Sequence, residues 1–188
     1  MAETARNMGL KIHMDGARFG NAVAALGCPP SALTWEAGID VLSFGGTKAG
    51  MPCGEAVVFF DRDLAAEFDY RCKQAGQLAS KMRYLAAPWI GMLETGAYLR
   101  YAAHANACAS RLAHLLSEVP GVTLSYPCTA NAVFVNLPET AAETLRNWGW
   151  HFYSFIGTGS TRFMCSWATT LEQVQQLAAD VRTALMTA

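Results

Sequence analysis

Hydrophobic positions fall first into short runs and later into helical stripes. Lys11–Met14, Val41–Phe44 and Ala56–Phe60 are brief apolar stretches edged by Gly, Pro or Asp, the mark of strands. The last, AVVFF, is continuous and predicts a strand buried on both faces. Around them, residues 2–8 read as the tail of a helix stopped by Gly9. Asn21–Leu26 reads as a short helix before the break Gly27-Cys28-Pro29-Pro30. Strands alternating with helices predict an α/β fold with a parallel sheet.

The period then changes. Tyr98, Tyr101, Ala105, Cys108, Leu112, Leu115 and Val119 are spaced by threes and fours, with Arg100, His104, Arg111 and His114 off the stripe. This predicts a long amphipathic helix stopped by Pro120-Gly121. Beyond it, Val122–Leu124, Ala132–Val135, Trp150–Phe155 and Arg162–Trp167 are strand-like, and Glu139–Trp148 is a helix closed by Gly149. A last helix carries Leu171, Val174, Leu177, Ala178, Val181 and Leu185 on one face. Its start offers two capping boxes, Thr169 with Glu172 or Thr170 with Gln173. The expected organisation is a sheet-bearing portion over 1–96, a connecting helix over 97–120 and a small α+β domain over 121–188.

Composition narrows the function classes. Of 188 residues, 52% are hydrophobic and 15% charged, which predicts a buried interface as well as a core. The net charge of −1 points neither to nucleic acid nor to an anionic membrane surface. No apolar run approaches the ~20 residues of a membrane span, and MAETARNMGL lacks the features of a signal peptide. The six cysteines show no Cys-x-x-Cys pair. They predict reduced, mostly buried thiols in a cytoplasmic protein, with no zinc site and no disulfide framework.

Two motifs carry candidate chemistry. SFGGTKAG, 43–50, sets Lys48 in a Gly-Gly-Thr turn directly after an apolar strand, and HMDGAR, 13–18, sets Asp15 at the end of another. The interval between them holds a strand, a crossover helix and a second strand. A lysine and an aspartate at neighbouring strand ends suit pyridoxal phosphate: the amine bonds the aldehyde, and the carboxylate keeps the pyridine nitrogen protonated. A lysine taken at random is a solvated surface residue. Here the glycines allow close backbone approach to a ligand, Thr47 adds a hydroxyl, and desolvation would make the amine a nucleophile. The spacing of a nucleotide-phosphate loop is absent. Asp15-Gly16 alone would be a turn. Arg18 is placed to pair with Asp15 or to reach the cofactor ring oxygen. His13 shares a strand face with Asp15 and is either a packed histidine or a site residue.

Arg162, in TRFMCSW, is either a strand-end surface residue or a bidentate clamp for an α-carboxylate. The basic residues of RCKQAGQLASKMRY, 71–84, are either a solvated helix face or, at a dimer interface, contacts to a neighbour's phosphate.

HMDGARFGNA, DVLSFGGTKAG, RCKQAGQLASKMRY and RFMCSW, in that order, resemble the low-specificity threonine aldolases. These belong to the fold type I pyridoxal phosphate enzymes and to the wider set of aromatic amino acid β-eliminating lyases. The resemblance implies an α/β architecture, part of a fold type I large domain followed by a small α+β domain. It implies Lys48 as the cofactor lysine, Asp15 as the partner of the pyridine nitrogen, and Ser43 and Thr47 as cofactor contacts. Arg18 becomes a ring-oxygen or substrate contact, Arg162 the carboxylate clamp, and Lys73 and Arg83 contacts across a subunit interface. The family usually has Asn where this chain has Ala49. Its phosphate cradle and ring-stacking histidine precede the HMDGAR motif and are not among residues 1–14, which leaves His13 as the candidate base.

The resulting expectation is retro-aldol cleavage of threonine-like β-hydroxy-α-amino acids to glycine and an aldehyde, by a homodimer or homotetramer using pyridoxal phosphate. Two rivals stand beside it: β-elimination on the same cofactor, and a non-catalytic fragment or companion subunit. The chain is expected to be the C-terminal part of a longer enzyme and, alone, to self-associate and bind the cofactor weakly.

Overall fold

The computed structural model describes residues 1–154 and 160–187. Contacts divide the chain into two units, Met1–Tyr101 and Ala102–Ala188.

The first unit runs α1 (Ala2–Asn7), β1 (His13–Gly16), α2 (Phe19–Leu26), β2 (Val41–Gly45), β3 (Glu55–Phe59), α3 (Phe68–Gln74) and α4 (Arg83–Glu94), then enters α5 (Ala97–Ser117). Its sheet has the order β1-β2-β3. The strands β1 and β2 are parallel, with Asp15 opposite Ser43. β3, by contrast, is antiparallel to β2, with Glu55 opposite Gly45. An all-parallel sheet was expected. The connection 46–54 holds only a 3₁₀ turn, Thr47–Ala49, and a parallel return needs a crossover of a dozen or more residues. As an edge strand β3 is less covered than its continuous apolar run predicts, and Val57 is 40% exposed. The strand expected at Lys11–Met14 sits two residues later, at His13–Gly16; ahead of it the Ile12 N–H donates to the Asp40 side chain (2.8 Å) and Lys11 pairs with Asp61 (2.7 Å) and Asp40 (3.7 Å).

The buried cluster of this unit is Phe19, Val23, Leu42 and Tyr98. Phe44 joins it, stacked on Trp89 with centroids 4.6 Å apart and 4.9 Å from the Tyr98 ring. Helix α4 buries none of its residues and leaves Tyr84, Ile90 and Leu93 exposed.

The second unit continues α5 and adds β4 (Thr123–Leu124), β5 (Ala132–Asn136), α6 (Glu139–Asn147), β6 (Tyr153–Ser154), β7 (Thr161–Met164) and α7 (Leu171–Thr187). Its antiparallel sheet has the order β4-β5-β7-β6. One core joins Leu112 and Leu116 of α5, Val133 and Val135 of β5, Leu145 of α6, Phe163 of β7 and Val174 and Val181 of α7. The strand expected over 150–155 is described only at Tyr153–Ser154; Phe155 lies outside the described residues. Ser166 and Trp167 fall in an exposed turn after β7.

At the start of α7 the Thr170 hydroxyl accepts from the Gln173 N–H (3.2 Å) and the Gln173 side-chain oxygen accepts from the Thr170 N–H (3.0 Å). Thr169 instead accepts from the Ser166 N–H. Leu171, expected on the apolar face, is exposed because it sits in the first turn, ahead of the buried stripe that opens at Val174. The six thiols are free. Only Cys108 and Cys165 are buried and Cys53 is exposed, so the expectation of mostly buried cysteines fails: Cys53 lies in the solvent-facing connection between β2 and β3. Among the described residues no helix is long and apolar enough to cross a membrane.

Candidate active site

Because β1 and β2 are parallel, the turns that follow them leave the sheet at the same edge, the place where α/β sheets bind ligands. The first turn carries Asp15 and Arg18, the second Thr47 and Lys48. The turns touch: a Cβ on Gly45 would lie 2.7 Å from Ala17 Cα. On Gly46 it would meet Met51 Sδ at 2.6 Å and the Gly54 carbonyl at 2.7 Å. The two glycines were expected to admit a ligand. Their role in this structure is to let the chain's own backbone close.

Asp15 Oδ1 accepts from the Ala17 N–H at 3.0 Å, which fixes the carboxylate at the strand end; Oδ2 has no hydrogen bond among the described residues. His13 Nε2 and Ser43 Oγ are 2.8 Å apart across the two strands. His13 and Asp15 are both exposed on one face of β1, so His13 is not a packed core residue. Lys48 and Arg18 are exposed, and neither side chain makes a hydrogen bond or ion pair among the described residues. The desolvation expected for Lys48 is not met, because the residue is exposed even though its neighbour Ala49 packs on the aromatic cluster.

Two residues that the sequence did not single out hold this edge together. Tyr98 donates its hydroxyl to the Gly45 carbonyl (3.1 Å) and accepts from the Gly20 N–H (3.2 Å), one of the donors that the first turn of α2 leaves without a helical partner. Burial pushes the Tyr98 phenol up to about 12. Glu55 accepts from the Gly46 N–H (3.1 Å) and the Thr47 N–H (3.2 Å). The one signal for it was an acidic residue heading an apolar strand. Tyr98 had none, since its hydroxyl partners are far away in sequence.

The other candidates lie elsewhere. Lys73 ends α3 and Arg83 opens α4; both are exposed, and the Arg83 guanidinium lies 4.9 Å from the Tyr84 ring centroid. Arg162 belongs to the second unit. It stands opposite Phe134 and Tyr153 in the sheet, with its guanidinium 5.6 Å from the Tyr153 ring centroid. Its Nε is buried without a hydrogen-bond partner among the described residues, which is costly unless an acceptor arrives.

A lysine and an aspartate at adjoining ends of parallel strands in an α/β sheet suit pyridoxal phosphate chemistry. Residues 1–140 match the beta-eliminating lyase family, and the chain belongs to it. Low specificity L-threonine aldolases of Pseudomonas sp. (strain NCIMB 10558) and Pseudomonas aeruginosa are each 62% identical over 182 residues, 97% of this chain and 53% of theirs. The chain spans about half the length of the curated relatives it matches. Among solved structures it is similar to threonine aldolase of Leishmania major (TM-score 0.86, 24% identity, 97% of this chain and 54% of that one). It is also similar to Oryza sativa TDC with PLP and tryptamine (TM-score 0.72, 14% identity, 99% and 44%). These likenesses establish the fold.

Proposed function

We propose that this chain supplies the lysine, the ring-nitrogen partner and the carboxylate clamp of a pyridoxal phosphate aldolase that splits threonine-like β-hydroxy-α-amino acids into glycine and an aldehyde. The observation that carries the reading is the edge where Asp15 and Lys48 leave neighbouring parallel strands through turns in backbone contact. The identity with two aldolases supports the reaction type. The residues of the first unit fit the cofactor: an amine without a partner among the described residues, and a carboxylate with one oxygen fixed and one open. When bound, pyridoxal phosphate supplies a protonated ring that accepts the electron pair released as a bond to the substrate α-carbon breaks.

Lys48 would hold the cofactor through its amine, which can bond the aldehyde carbon. Asp15 holds the proton on the ring nitrogen. Arg162 grips the substrate carboxylate in its planar fork and so orients the bond to be cleaved. Arg18 meets the ring oxygen or the substrate, Ser43 and Thr47 line the cofactor, and His13 takes the proton of the β-hydroxyl. Lys73 and Arg83 act across an interface of two or four copies, a state supported by the exposed apolar side chains of α4. Six free thiols suit a reducing compartment such as the cytoplasm.

The family name favours a second reading, β-elimination. Incubation with threonine and pyridoxal phosphate separates the two. Equal amounts of glycine and acetaldehyde support the aldolase. An α-keto acid with ammonia, or no product and no borohydride-fixed cofactor on Lys48, overturns it.

A further inference from the structure

We infer that Glu55 and Tyr98 are positioning residues for Lys48, gripping from opposite ends the peptide unit that joins Gly45 to Gly46. The inference rests on the reading of Lys48 as the cofactor lysine. The carbonyl of that unit accepts from the Tyr98 hydroxyl, and its N–H donates to Glu55. The next unit is held as firmly: the Gly46 carbonyl accepts from the Ala49 (3.0 Å) and Met51 (3.2 Å) N–H groups, and the Thr47 N–H donates to the other oxygen of Glu55.

The need for a grip follows from the sequence. Close approach demands glycine at both 45 and 46, and tandem glycines make the most pliant backbone a chain can have. Beyond them, after Thr47 alone, stands a residue that must bond a cofactor, release it and bond it again. Its side chain has to swing while its Cα stays in place. A carboxylate is suited to this, because its two oxygens take two successive N–H groups in charge-assisted bonds. Glu55 can reach because β3 is antiparallel, so its first residue lies opposite the last of β2. Tyr98 adds the second coordinate. Through the Gly20 N–H it ties the same peptide to α2, which follows the Asp15 turn, and so sets the spacing between the aspartate and lysine turns.

The test uses the full chain, its Glu55→Ala and Glu55→Gln variants, pyridoxal phosphate as probe, borohydride fixation and peptide mapping. Glu55→Ala removes both of its bonds to the turn and is expected to slow labelling of Lys48 about tenfold or more, while labelling of Lys73 and Lys81 is unchanged. Without cofactor, the Gly46 and Thr47 amides should exchange with solvent faster by a similar factor. Glu55→Gln keeps one acceptor oxygen and should restore part of both; should the alanine variant not fold, the glutamine variant alone carries the comparison. Wild-type chain labelled at Lys48, with both variants labelled equally fast, overturns the inference and leaves the proposed function standing. A wild-type label on other lysines but not on Lys48 overturns the proposed function and the inference with it.

Discussion

Arg162 presents a sharp residue-scale case. Its Nε is buried with no acceptor among the described residues, and lysine at that place keeps the charge but not the fork. Arg162→Lys is expected to raise the KM for threonine by roughly tenfold or more, one charge-assisted hydrogen bond of about 1.5–3 kcal/mol, while borohydride fixation of cofactor on Lys48 is unchanged. Steady-state kinetics beside peptide mapping checks this; an unchanged KM removes Arg162 from the substrate site. Tyr98 gives a pH prediction. Burial keeps its phenol neutral in the fold up to about 12, against 10.0 unperturbed. Its contribution to stability is therefore full below pH 10 and lost as pH rises toward 12. Denaturant midpoints measured across that window should fall, and Tyr98→Phe should lessen the fall. That Asp15 and Lys48 fall near the ends of neighbouring strands was legible in the sequence, because each follows a short apolar run closely. Glu55 and Tyr98 were not, since what they hold is backbone, and backbone partners leave no trace in residue type.

At the scale of elements, periodicity located every helix of the second unit, because one continuous core there selects the apolar stripe of each. The direction of β3 was not legible. It depends on the length of connection 46–54, and a continuous apolar run reads alike in either direction. The start of α7 was left between two boxes, and the structure selects Thr170 with Gln173. Thr170→Ala is accordingly expected to cost about 1 kcal/mol, read from equilibrium unfolding. Gln175→Ala, exposed in α7 and outside that box, is the control and should cost much less.

For the molecule as a whole, the contrast between the units matters most. The second has a core that runs through its helices and strands. The first buries a small cluster around Tyr98 and leaves Tyr70, Leu78, Tyr84, Ile90 and Leu93 in solvent. Hydrogen exchange should find its slowest amides in β5, β7 and the second-unit part of α5, and fast exchange throughout α4, whose residues are all at least partly exposed. The same uncovered side chains predict self-association, because apolar patches of this kind drive it. Sedimentation velocity over a range of protein concentrations should show a coefficient that rises with concentration; a constant, monomeric value would contradict this. The change of period near residue 97 marked the start of α5, which belongs in part to each of the two units. The uneven covering of the two was not legible, because composition is blind to which apolar residues find neighbours.

The contact between the two turns also bears on how this chain can change over generations. Gly16 and Gly45 face backbone atoms at distances no side chain tolerates: a Cβ on Gly16 would lie 2.4 Å from the Ser43 carbonyl. Gly91, in α4, has open space around it. In a library of single substitutions under selection, survivors should therefore be many at 91 and absent at 16 and 45. The joint between the aspartate and lysine turns is closed to gradual drift, whatever substrate the rest of the site comes to accept.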